Sequence, residues 1–165
     1  MKTLFAVSLW FQAIWFVAVL GTERLQWLAL AMMLAALMFS LRHFSYPLER
    51  VIALIIVGIV IDALNQYFGL LRFATNDFPI WLMVLWGAFS WYASHIVVLM
   101  KRYPSKLICL MVGVLGSLSY WAAERLGAVH FDWPLGLTMA ILWLQWMMIG
   151  ALILRVFSDD VSKEK

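Results

Sequence analysis

The sequence predicts an all-α polytopic membrane protein with six transmembrane helices in antiparallel hairpins. Three observations predict it. Of 165 residues, 65% are hydrophobic and 13% charged, whereas soluble domains run near half apolar and a quarter charged. No water-soluble fold of this length hides that much apolar surface. The apolar residues also fall into runs long enough to cross, or nearly cross, a bilayer. Charges and turn residues collect in short breaks between the runs, as hairpin connections require.

The first run, residues 3–21, follows Lys2 and ends in "VLG", which imitates a secretory signal. Its length and its bulky Trp10, Trp15 and Phe16 favour retention as a membrane helix. The second, residues 26–41, is short at about sixteen residues and is expected to need snorkelling flanks or a locally thinner bilayer. The third covers 51–71 and carries Asp62, Asn65 and Gln66, more of the candidate polar groups than any other run. The fourth, 79–100, and the sixth, 134–156, each open on a proline, a residue suited to a helix start. The fifth, 107–123, holds Gly113, Gly116, Ser117 and Ser119. Such small residues permit close helix approach, and Gly113 with Ser117 fits small-xxx-small spacing. Residues 1–157 therefore read as one transmembrane domain, and "SDDVSKEK" at 158–165 as a polar cytoplasmic tail.

Six crossings place both termini on one side, together with the connections at 42–50 and 101–106. That side collects nine Lys and Arg residues against Arg24, Arg72 and Arg125 opposite. The bias predicts that both ends are cytoplasmic. Trp27, Trp81, Trp121 and Trp133 then fall near the outer face, as an interfacial aromatic belt. The small net charge of +3, confined to these connections, argues against a nucleic-acid partner. Cys109 is the single cysteine and reads as a small apolar residue.

Two outer corners echo each other: "GLLRF" then "DFP" at 69–79, and "GAVHF" then "DWP" at 127–134. In each, Gly ends the incoming helix, while Asp and Pro are expected to open the outgoing one, the carboxylate meeting its positive end. Duplication of a two-helix unit is one reading of the echo; two similar corners is the other.

A rise of about 1.5 Å per residue converts position into depth and puts Asp62 roughly 16 Å from the cytoplasmic side, with Gln12, Ser90, Ser117 and Gln145 near the same level. Asp62, Asn65 and Gln66, with Gly58 and Gly69, share one helix face, which is expected to point into the bundle because an acid facing lipid costs a few kcal/mol or more. Two readings of Asp62 stay open. Either the belt is interhelical glue, or Asp62 anchors a substrate or proton site. Tyr120 is expected to reach toward Asn65, and His95, nearer the cytoplasm, to make an interhelical hydrogen bond.

Several chemistries are excluded on composition. An aspartyl protease needs two acids sharing a proton, and Asp62 is the one acid in the core. The serines of "GVLGSLSY" have no histidine at their depth to serve as a base. His43, His95 and His130 lie at three depths, which is no metal site, and no phosphate-loop or cofactor motif is present.

The order of features in "FQAIWF", in Asp62 with Gly69 and Phe73, in "PIWLMVLWGAF", in Ser94 with His95, and in "GSLSYWAAERLGAV" resembles the bacterial multi-pass family of domain of unknown function 2878. The resemblance covers nearly the whole chain. It departs in the fifth helix, where the family's Gly-Pro is replaced by Ser117, Leu118 and Ser119 ahead of Tyr120. The resemblance implies a small bacterial inner-membrane protein without an assigned activity and tilts the reading toward lipid or envelope biology. The expected function is a lipid- or partner-binding component of membrane-lipid or envelope metabolism rather than an enzyme. A carrier centred on Asp62, working as a homodimer, is the alternative, and a lipid-modifying membrane enzyme the third.

Overall fold

The computed structural model describes residues 2–43, 47–75 and 77–157. The expected tail at 158–165 lies outside them. Five helices are present among the described residues: α1 Lys2–His43, α2 Leu48–Tyr67, α3 Ile80–Met100, α4 Ser105–Arg125 and α5 Leu135–Val156. The described residues hold no strand, only one isolated bridge.

The first helix is two arms joined at a sharp corner. Thr22 has φ 41° and ψ −124°, outside helical space, within the 42 residues of α1. The indole of Trp10 donates to the carbonyl of Met32 at 3.2 Å. On a straight helix those residues would stand about 33 Å apart, so the arms fold back antiparallel. Gly21 permits the corner, because a Cβ there would lie 2.4 Å from the Leu25 side chain. The second run is therefore longer than the expected 26–41, taking in Glu23 to Leu25 and continuing to His43. Its first turn gains an acid, Glu23, where the helix N-terminus is positive.

The third run is shorter than expected. α2 ends at Tyr67 rather than Leu71, because Gly69 turns left-handed at φ 71° and the N–H groups of Leu70 and Leu71 return to the carbonyl of Asn65. The second corner repeats this device: Gly127 has φ 79° and the Ala128 N–H donates to the Ala123 carbonyl. The two corners then pair, Arg72 and His130 exchanging both backbone hydrogen bonds at 2.8 Å. Gly69 and Gly127, like Arg72 and His130, are 58 positions apart, so the echo in sequence is a local two-fold relation in space. The outgoing helices start differently from expectation. Pro79 and Pro134 are the N-caps, with no side-chain cap bond and no acid in the first turn. Asp132 instead pairs with Arg72 at 2.6 Å, tying the two corners together.

α3 is the central helix, packed against both arms of α1, against α2 and against α5; α4 packs mainly on α5. Glycines set the close approaches. A Cβ at Gly58 would lie 2.1 Å from the Trp86 indole, and one at Gly116 the same distance from Trp146. These are a second pair of positions separated by 58. Four helices among the described residues are long and apolar enough to cross a membrane: α1 over Thr3–His43, α3, α4 and α5. Large apolar side chains such as Leu9, Leu20, Trp27 and Met148 point outward and are largely exposed, as a lipid-facing surface requires. Trp81 departs from the expected belt: it is 2% exposed and meets Phe73 edge-on in the core.

Candidate functional site

Where α2, α3, α4 and α5 converge, one acid is enclosed. Asp62 is 1% exposed. Trp86 Nε1 of α3 donates to its Oδ2 at 2.7 Å, the Tyr120 hydroxyl of α4 donates to the same oxygen, and Asn65 Nδ2 donates to Oδ1 at 3.3 Å. An indole N–H donates and never accepts, so Oδ2 is an acceptor here. Asn65 also forms a reciprocal pair with Gln145 of α5: Nδ2 donates to Gln145 Oε1 at 3.0 Å and Gln145 Nε2 returns to Asn65 Oδ1 at 2.8 Å. Asp62 and Tyr120 are again 58 positions apart, so this bond joins the two corner units at equivalent points. Tyr120 thus reaches Asp62, not Asn65 as expected.

The other members of the expected belt go elsewhere. Gln66 lines a recess of about 480 Å³ beside the two paired corners, with Arg72, Thr75 and Asp132. Ser117 is buried and bonds to the Val114 carbonyl of its own helix at 3.1 Å. Ser90 is fully buried, and its hydroxyl has no hydrogen-bond partner among the described residues. His95 joins a separate cluster in the C-terminal half of α3. There the Trp91 indole donates to Ser40 Oγ at 2.8 Å, Ser40 Oγ lies 3.3 Å from His95 Nε2, and His95 Nδ1 lies 2.9 Å from the Trp91 carbonyl. With Nδ1 as the donor to that carbonyl, Ser40 donates to Nε2. Ser40 is 1% exposed, so this arrangement locks the second arm of α1 to α3.

A large apolar cavity lies on the far side of the wall that holds Asp62. It has a volume of about 990 Å³ and runs between the first arm of α1 with α3 on one side and α4 on the other. Trp86, Tyr120 and Trp146 all line it. Trp86 and Trp146 stack at 5.4 Å with 10° between planes, and Phe89 meets Trp146 nearly edge-on at 4.9 Å. Trp86 and Tyr120 therefore give polar atoms to Asp62 and also line the cavity, which Asp62 itself does not. Gln12 does line it, and its amide has no hydrogen bond among the described residues. Other polar groups in the lining are Ser8, Tyr92, Tyr103 and Ser119. The Ser8 hydroxyl bonds to the Leu4 carbonyl at 2.9 Å, and that of Ser119 to the Gly116 carbonyl at 2.7 Å.

Sequence reasoning missed Trp86, Trp146 and Ser40. The signal available for the indoles was the pair of glycines opposite them, Gly58 and Gly116, since an unbranched gap on a buried helix face has to be filled by a large side chain from a neighbour. For Ser40 no local pattern existed.

Among the described residues, long helices that present apolar side chains outward, with Asp62 as the one fully buried acid bonded across three of the helices, define a multi-helix membrane protein. Within that class it belongs to the family described as protein of unknown function DUF2878, whose model matches residues 4–152. No curated protein and no solved structure matches it.

Proposed function

We propose that this protein crosses the inner membrane six times, with both termini in the cytoplasm, and holds a membrane lipid in the cavity beside Trp86, Tyr120 and Trp146, as a binding component of lipid or envelope metabolism. The two arms of α1 supply the first two crossings and α2 the third, with nine Lys and Arg residues then falling on the cytoplasmic side. The observation that carries the binding reading is the cavity itself. At about 990 Å³ it lies at the upper end of the roughly 300–1,000 Å³ range of small-molecule sites. Its walls are mostly aromatic and aliphatic, with the free amide of Gln12 as an orienting group. The lining draws on α3 from Trp81 to Met100, a span of about 28 Å, which suits an extended chain better than a compact solute.

The carrier reading draws less support. The Asp62 carboxyl already accepts from three side chains and faces away from the cavity. Its role is to fix the wall. The test is mass spectrometry of the purified protein: a lipid retained after delipidating washes is expected, and its loss is expected when Ser119→Phe and Ala122→Trp fill the cavity from α4. Equal retention by the filled variant, with its fold intact, overturns the binding reading.

A further inference from the structure

The cytoplasmic end of the cavity has a chemistry of its own. The lining follows α3 down through Leu99 and Met100 to Tyr103 and resumes on α4 at Leu107, so it brackets the connection "KRYPSK", residues 101–106. That connection carries three cations and no acid. Lys101 is committed, its ammonium donating to the carbonyl of Phe157 after α5. Arg102 and Lys106 are exposed and have no ion pair among the described residues. An apolar groove thus ends at two cations without an ion pair among the described residues, with the Tyr103 ring between them in sequence and in the lining itself.

We infer that the occupant is an anionic glycerophospholipid, with its acyl chains in the cavity and its phosphate at Arg102 and Lys106. The inference rests on the lipid-binding reading above and adds charge selectivity to it. Apolar walls hold the chains without regard to the headgroup, so selection has to come from the mouth. Arg offers a planar set of donors that matches a phosphate, while Lys adds a point charge. An anionic headgroup gains from both. A zwitterionic one brings its own ammonium to two cations and loses most of that gain. At about 1 kcal/mol for each cation near the membrane surface, two cations correspond to a preference of roughly 20-fold to 30-fold.

The test is native mass spectrometry of the full-length protein titrated in parallel with dioleoylphosphatidylglycerol and dioleoylphosphatidylcholine. The wild type is expected to favour phosphatidylglycerol by at least tenfold. Arg102→Gln with Lys106→Gln is expected to bring it down to the phosphatidylcholine level and leave phosphatidylcholine unchanged. Both positions are exposed, so the variant is expected to keep the wild-type melting profile, which a thermal scan checks. Equal affinity for the two lipids in the wild type, or a preference that survives both substitutions, overturns the inference while the lipid-binding reading stands. Binding of both lipids that is unaffected by Ser119→Phe with Ala122→Trp overturns that reading as well.

Discussion

The two faces of the Trp86–Tyr120 wall differ in nearly every respect. On one side Asp62 is enclosed and 1% exposed, with three donors on its carboxyl. On the other the same side chains border about 990 Å³ of apolar space. The difference teaches that an ionisable residue buried among apolar helices does not by itself mark where the helices leave open space. In hydrocarbon, an acid is tolerated where donors converge on it, and donors converge where helices pack closely. Space for a ligand arises where helices part. Here the two sit back to back, and one indole, Trp86, and the Tyr120 phenol serve both.

The comparison breaks most strongly at Asp62. Asp62→Ala removes the acceptor for Trp86, Tyr120 and Asn65 together and leaves buried donors unsatisfied. The expected loss is about 3 kcal/mol, taking roughly 1 kcal/mol for each interhelical bond, read as a large fall in melting temperature in detergent. If the cavity depends on this wall, retained lipid falls with it. Unchanged stability would mean that the carboxyl does not hold the helices together.

Gly116→Ala comes next. Its Cβ would lie 2.1 Å from the Trp146 indole, a ring carbon that cannot swing aside alone. Overpacking of this kind costs about 1–3 kcal/mol. It should also separate the stacked indoles of Trp86 and Trp146, seen as loss of their exciton signal in circular dichroism. Gly136→Ala is the control, because nothing lies near a Cβ there.

Tyr120→Phe is gentler and sharpens the contrast between the faces. It deletes one bond to Asp62 but keeps the ring that lines the cavity. About 1 kcal/mol of stability is expected to go, with lipid retention unchanged. A loss of lipid without a loss of stability would instead place the hydroxyl in the ligand site.

Ser40→Ala is expected to have the smallest effect. It removes the hydrogen bonds that tie the second arm of α1 to Trp91 and His95 of α3, none of which lines the cavity, at a cost of about 0.6 kcal/mol. Lipid binding is expected to persist; its loss would point to the Ser40–His95 pair as part of a site.

Much of the fold was legible in the sequence because a membrane imposes local rules. A helix in lipid has to satisfy its own backbone, so each apolar run between charged breaks is a helix wherever it lies. The corner glycines were legible for a similar reason: Gly69 and Gly127 adopt positive φ, which L side chains resist. The inward face of α2 could also be read from spacing, and Gly58, Asp62 and Asn65 are indeed buried. Errors fell where a neighbour decides. Helix α2 stops at Tyr67 because Gly69 turns the chain back onto Asn65. Trp81 sits in the core because Phe73 and the outer corner cover it.

The sequence by itself determined that this chain is a bundle of apolar helices with a polar stretch on α2, since composition and period are properties of neighbours along the chain. Which polar groups meet was decided only in three dimensions. Asp62 finds Tyr120, 58 positions away, and Asn65 finds Gln145, 80 positions away, through helix packing set by glycines that admit two indoles. The cavity was decided there as well. It is the volume that packed helices leave unfilled, and linear spacing records which residues face inward, not how far apart the facing helices stand.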